Sequence, residues 1–145
     1  DLQGGELVTP EAVVSRLQVI AATVTGIRNA PDALPDQIAL FPAAISYLES
    51  FEEDAGMVGS DNVIYTAVTE LHVARKDLPR DYAVLDGMAA LFVAAVRSDS
   101  RSNTAGTLGV IASAIGNATG NLAASSWAAQ DTLAWSIRVP FKIQQ

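Results

Sequence analysis

The residues with the clearest chemical potential are the single histidine of the chain and a nearby acid. Glu70 and His72 are two positions apart, so in an extended segment both side chains point to the same face. A histidine beside a carboxylate acts as a general base when a nucleophile is held next to it. Serines and threonines are spread along the whole chain, and none stands in a defined relation to this pair. The sequence therefore favours a surface or interface histidine over a catalytic base.

A second group with potential chemistry is acidic: Glu49, Glu52, Glu53 and Asp54. Carboxylates at close spacing can bind calcium, but this spacing does not match the EF-hand loop. With one histidine and no cysteine, a zinc site is not indicated either. No glycine-rich phosphate loop is present. We therefore predict no catalytic residues, no metal and no cofactor, and a solvated acidic loop at the tip of a hairpin.

The charge balance limits the classes of partner. The net charge is −7, and the only lysines are Lys76 and Lys142. A protein that reads nucleic acid directly carries a basic patch, and no basic run exists here. Charged residues make up 17% of the chain, below the usual fraction of about 25%. This favours a surface covered by other subunits, with a compact alanine-rich monomer as the alternative.

The element that organises the chain is its last long segment, residues 133–143, where apolar and polar residues alternate. Alternation with a period of two predicts a half-buried strand. Residues 62–74 alternate over a similar length and are its best partner. Pro140 has no N–H to donate, which predicts an edge strand or a bulge at that point. A long unprotected edge invites pairing with another chain.

Two amphipathic helices are predicted, over residues 10–26 and 79–97, each with an N-cap residue and an early proline. A short buried strand is expected at 38–41, interrupted by Pro42, and an acidic loop at 50–61. Residues 107–115 fit either a strand or a helix, residues 116–121 have turn chemistry, and 122–130 read as an extended piece or a loop. Together these elements predict one α+β domain over residues 9–145, an antiparallel sheet with two helices on one face, preceded by a flexible tail at 1–8.

The order of these elements resembles the tail terminator proteins of long-tailed bacteriophages and the related neck proteins of the head–tail junction. Four segments carry the likeness over most of the chain: residues 36–49, 66–74, 81–96 and 127–141. They resemble the family's first hairpin arm, its long second strand, the helix that crosses the sheet, and the closing strand. The uncharged residues 103–126 depart from the family pattern and are expected to form an added arm that packs on a neighbour.

The resemblance implies a structural virion protein without catalytic activity, which forms a homo-hexameric ring at the head-proximal end of the tail tube. Its partners would be further copies of itself, the tail tube protein and head-side connector proteins, with no membrane involved. DNA would pass through the ring without sequence-specific binding. Subunit or partner contacts are expected from the acidic loop and the mixed strand faces: Glu49, Glu52, Glu53, Asp54, Glu70, His72, Arg138 and Lys142.

Three alternatives stay open at this point. The first is a head–tail connector of the same region of the virion. The second is a small cytosolic enzyme or ligand-binding domain with Glu70 and His72 near a pocket. The third is a ring or scaffold subunit that is not viral.

Overall fold

The computed structural model describes residues 9–31, 34–53, 63–113 and 115–143. The fold is α+β, as predicted, and combines an antiparallel sheet with helices. The elements in chain order are α1 (Pro10–Thr23), β1 (Ala43–Glu53), β2 (Val63–Ala74), α2 (Leu78–Ser100), α3 (Leu108–Ile111), β3 (Ala112–Ser113), β4 (Thr119–Trp127) and β5 (Gln130–Ile143).

Four long strands form the sheet in the order β1, β2, β5, β4, and every neighbouring pair is antiparallel. The short β3 pairs with the far end of β5, beyond the end of β4. The long partner that the sequence assigns to the last strand is correct, because β2 pairs with β5 from Tyr65↔Phe141 to Ala74↔Thr132. The β1–β2 ladder contains one irregularity, between Leu48 and Ser50.

One face of the sheet carries both long helices, as the apolar stripes predict. Residues directly opposite each other in neighbouring strands point to the same face, so the register places Leu71 and Thr69 of β2 on the same side as Ile137 of β5. α1 packs mainly on β1, and α2 packs on β2 and β5. The predicted core positions of β5 are confirmed as buried: Ile137, Val139 and Phe141.

Local sequence signals predict the start of α1 correctly but not its end. α1 begins at Pro10, as predicted, but ends at Thr23 and not at residue 26, because Val24 is already extended. Gly26 has a φ of +101° and redirects the chain after the helix. Asp99, near the end of α2, accepts two hydrogen bonds from Arg16 of α1 and one from the backbone of Leu108. That carboxylate thereby connects all three helices.

Of the two alternatives predicted at Pro140, an edge strand and a bulge, the edge strand does not hold for most of β5. β5 lies between β2 and β4 for most of its length. Pro140 lies where the outer neighbour changes from β4 to β3, and its carbonyl accepts the backbone N–H of Gly116. The missing proline N–H therefore faces a break in the ladder, where it is tolerated. On this side of the sheet, the outer strand is β4, one strand beyond β5.

Three local predictions are also corrected. Residues 38–41 form no strand; they cross the outer face of the sheet, where the backbone of Ile38 exchanges two hydrogen bonds with the Gln130 side chain. Thr119, Gly120 and Asn121 lie in β4 and not in a turn. Part of the expected acidic loop, Ser50 to Glu53, belongs to β1. Asp54, the rest of that loop and the N-terminal tail lie outside the described residues.

The β4–β5 hairpin is closed by a two-residue turn that contains no glycine or asparagine. Ala128 and Ala129 both have positive φ angles, 49° and 69°, which is the geometry of a type I′ turn. An alanine in this left-handed conformation is destabilised by about 1 kcal/mol relative to glycine. The preferred residues at these positions are asparagine and glycine.

Replacing Ala128 with Asn and Ala129 with Gly should therefore raise the free energy of unfolding by about 1 kcal/mol. Urea denaturation followed by circular dichroism would measure the change. Ala123→Gly is the matched control, because Ala123 is an exposed residue inside β4 and glycine weakens a strand interior. A double variant that is less stable than the parent would contradict the assigned turn.

Candidate functional site

The outer face of the sheet, opposite the helices, carries a connected set of polar side chains around His72. The His72 Nε2 atom lies 2.8 Å from Glu70 Oε1, and Nδ1 lies 2.9 Å from Thr132 Oγ1. The Tyr47 hydroxyl donates to the other Glu70 oxygen. Because a carboxylate only accepts, the Nε2–H of His72 donates to Glu70, and Nδ1 forms the second hydrogen bond with the Thr132 hydroxyl. The order along the network is Tyr47, Glu70, His72, Thr132.

Strand register brings these four residues together from three strands. Glu70 and His72 are neighbours on one face of β2, Tyr47 comes from β1 and Thr132 from β5. Donation from His72 and Tyr47 holds the pKa of the Glu70 carboxyl below its ordinary value, because both bonds favour the charged form. Burial and the bond to Glu70 raise the pKa of the Tyr47 hydroxyl. The Glu70 carboxyl is thereby held in its charged form and the Tyr47 hydroxyl in its neutral form.

The imidazole at the centre of this network is closed off from solvent. His72 is 0% exposed, and Trp127 of β4 packs edge-on against it at a centroid distance of 5.8 Å. The Trp127 indole N–H donates to the carbonyl of Pro35, which anchors residues 34–42 over this face. The surface position expected for His72 is therefore wrong. With both ring nitrogens engaged, it is not placed to accept a proton from a bound substrate.

An exposed ion pair lies beside the buried network. Arg138 of β5 makes two 2.9 Å hydrogen bonds to the carboxylate of Glu49 in β1, across β2. About a third of each side chain is exposed. The bond to Glu49 raises the pKa of Arg138. This bidentate pair joins two of the charged residues that the sequence assigned to a subunit contact.

The other predicted contact residues are dispersed. Glu52 and Glu53 are exposed at the end of β1, Lys142 lies at the far end of β5 opposite Ser113, and Asp54 lies outside the described residues. Glu70 is 16% exposed and turned into the network. No cluster of three or more metal-ligating side chains occurs within residues 9–31, 34–53, 63–113 and 115–143. In the same ranges, no helix is long and apolar enough to cross a membrane.

Two features that the sequence did not indicate lie on the helix side of the sheet. Phe51, near the end of β1, is 68% exposed and contacts Tyr65, which stacks on the buried Phe141. At the opposite edge, an open groove of about 470 Å³ runs between α2 and β4. The groove is lined mainly by apolar residues, including Ala89, Ala90, Val93, Gly120, Trp135 and Ile137.

Small residues leave this groove open. A Cβ atom at Gly120 would lie 3.3 Å from the Trp135 ring, so the glycine allows the strand to approach the indole closely. The Trp135 N–H is buried and has no hydrogen-bond partner among the described residues, a condition that costs about 1–3 kcal/mol. Alternation could have indicated that Trp135 faces the helices, but only the sheet order shows that no helix covers β4.

Comparison with known proteins assigns no family. No protein-family model matches this sequence, and no curated protein matches it significantly.

The buried network yields a stability prediction with a defined pH dependence. Glu70→Gln should lower the free energy of unfolding by about 1–3 kcal/mol at pH 7, because the amide cannot accept from both His72 and Tyr47. The pKa of Glu70 is lowered in the folded state. Its contribution is therefore fully present above the unfolded value of about 4.3 and is lost as pH falls through the lower folded value.

The difference between parent and Glu70→Gln should thus shrink below about pH 4, which urea unfolding at several pH values would measure. Glu49→Gln is the matched control, because the exposed pair with Arg138 should contribute at most about 1 kcal/mol. Equal losses for the two variants, or a Glu70 effect that is constant between pH 3 and pH 7, would contradict this account.

Proposed function

We propose that this chain is a structural subunit of a homo-oligomeric ring, of the type that terminates a phage tail tube and joins it to the head. The observation that carries the proposal is the unequal pair of sheet edges. β1 ends in an exposed acidic arm with Phe51 on its helix side, and β4 is an exposed strand beside an open apolar groove. Each edge exposes apolar side chains or backbone groups that a contact with another copy would cover.

The symmetry of the contact follows from these edges. Two different surfaces on opposite sides of one subunit can join only head to tail, and such a heterologous contact forms a ring when the rotation closes. The strands alternate in direction, so β1 and β4 run antiparallel to each other. β4 of one copy can therefore lie antiparallel to β1 of the next copy in the same orientation.

Charge supports a role in which DNA passes through the ring. With a net charge of −7 and only nine basic residues, the subunit repels phosphate and does not collect it. Two of the arginines, Arg16 and Arg138, are bound to carboxylates within the subunit. A channel bordered by such subunits favours sliding of the duplex over tight binding.

An enzyme built around Glu70 and His72 is the less favoured function. The imidazole is fully buried, and its two nitrogens are bonded to Glu70 and Thr132. A general base must reach the proton that it removes. The groove between α2 and β4 is on the opposite face of the sheet from this histidine. These positions favour a structural role for the network.

The ring is tested by the mass and shape of the purified chain. Size-exclusion chromatography with light scattering should give a closed oligomer, six copies for the family resemblance, either alone or after addition of phage tail tubes. Negative-stain electron microscopy should show particles with a central hole, and labelled subunits should bind at one end of a tube. A monomer at every concentration and in the presence of tubes would contradict the proposal.

The same preparation tests the passage of DNA. A gel-shift assay with duplex DNA at 50 and 200 mM salt should detect no specific complex, because an acidic subunit has no cluster of cations to release counterions. Tight binding that weakens steeply with salt would contradict the proposed role while leaving a ring possible.

A further inference from the structure

The β1–β2 hairpin carries a large apolar side chain, Phe51, that its own subunit leaves exposed. Phe51 is opposite Tyr65, and Tyr65 is opposite Phe141, so three aromatic rings form one row across three strands. The row starts at the buried Phe141 and ends at Phe51, which is 68% exposed. The apolar core thereby continues across β5, β2 and β1, and its outermost ring, Phe51, is exposed.

The groove between α2 and β4 has room for an aromatic side chain. Trp135 lines the groove, and the small residues Ala89 and Ala90 line it on the helix side. Gly120 lines it on the strand side and has no side chain to fill it. A volume of about 470 Å³ is within the range of sites that hold a ligand or an anchoring side chain. Tryptophan and phenylalanine rings pair favourably when stacked or edge-on.

One subunit cannot fill its own groove with its own arm. Phe51 is on β1 and the groove borders β4, with β2 and β5 between them. Three strand spacings separate the two edges, roughly 14 Å in all. A contact between Phe51 and the groove must therefore join two copies, and it uses a different surface on each.

The two edges also differ in their protection against pairing. The start of β1 is bridged by Asn29, its ladder is irregular after Leu48, and its far end is acidic. β4 contains no charged residue and no proline, which are the usual features that block an edge. A strand that approaches β4 from a second copy meets free backbone groups and no charged side chain of β4 itself.

The charges beside the groove are of both signs, because Asp86 lines the groove and Arg97 lies further along the same helix. Glu53 is two residues from Phe51 in β1 and thus points to the same face. On α2, Arg97 lies one helical turn beyond Val93, which lines the groove. An arm with its aromatic ring in the groove can bring its carboxylate close to this guanidinium.

We propose that the groove between α2 and β4 receives the β1–β2 arm of a neighbouring copy, with Phe51 seated on Trp135. The occupant is a second copy of this chain, and the contact is the one that closes the ring, so this inference rests on the proposed function. It assigns the subunit contact to Phe51, Ala90 and Gly120, in addition to the charged residues at the end of β1.

Disulfide trapping tests the contact directly, because the chain has no cysteine. A variant with Phe51→Cys and Ala90→Cys should form a ladder of cross-linked multimers on a non-reducing gel after mild oxidation. An intramolecular bridge is excluded, since a disulfide requires Cα atoms within about 7 Å. The matched control pairs Ala90→Cys with Val19→Cys, because Val19 is 51% exposed on α1. It should give no ladder beyond random collision.

The outcomes separate this contact from the ring itself. A ladder supports the contact between Phe51 and the groove. A ladder made of open chains, without closed particles, also supports this contact but contradicts the ring. A closed oligomer that yields no ladder rejects the contact and keeps the ring. Cross-linking of Ala90→Cys alone would indicate groove-to-groove pairing and would overturn the proposal. A monomer without a ladder in all conditions rejects both.

A second measurement does not depend on oxidation. Phe51→Ser should weaken assembly by about tenfold or more, as expected for a buried aromatic anchor, while the free energy of unfolding changes little because Phe51 is exposed. Val19→Ser is the matched control and should leave assembly unchanged. An apolar small molecule that occupies the groove and leaves assembly of the parent intact would contradict the arm as occupant.

Discussion

The structure depends on the register between β2 and β5. These two central strands pair from Tyr65↔Phe141 to Ala74↔Thr132, and that register decides which side chains face the helices. A slip of one residue would turn every side chain of one strand to the other face. Leu71 or Ile137 would then leave the core, while Glu70 or Arg138 would enter it. Both helices need the correct face, because their apolar stripes have no other surface to cover.

The polar network on the outer face reinforces this register. Glu70 and His72 are satisfied only when Tyr47 and Thr132 arrive from the two neighbouring strands. In a slipped sheet these groups would be buried without partners, which costs more than the bonds contribute when formed. The apolar face therefore provides most of the stabilisation, while the polar face distinguishes the native pairing from its nearest competitors. This explains a fully buried histidine in a chain where it has no evident chemistry.

The sequence predicts the elements whose apolar residues repeat with a clear period. It does not predict the segments that are stabilised mainly by pairing with residues far away in the chain. Alternation in β5 and the caps of α1 and α2 are local, so their types were predictable. β4 was read in part as a turn, because Gly120 and Asn121 favour turns, yet pairing with β5 overrides that preference. The path of residues 34–42 depends on Trp127 and Gln130, about ninety positions away. The partners of His72 also require the strand order, which no local pattern contains.

An uncovered β4 is the consequence of placing β5 in the centre. A strand in the centre of a sheet has its backbone groups paired on both sides, and β4 provides the second neighbour of β5 with uncharged and mostly small residues. Those same residues are too small to build a core of their own, so no helix packs over them and the groove beside Trp135 stays open. A sheet of four alternating strands also has outer strands of opposite direction. The features that complete the sheet therefore leave two outer strands that run antiparallel to each other and differ in their side chains.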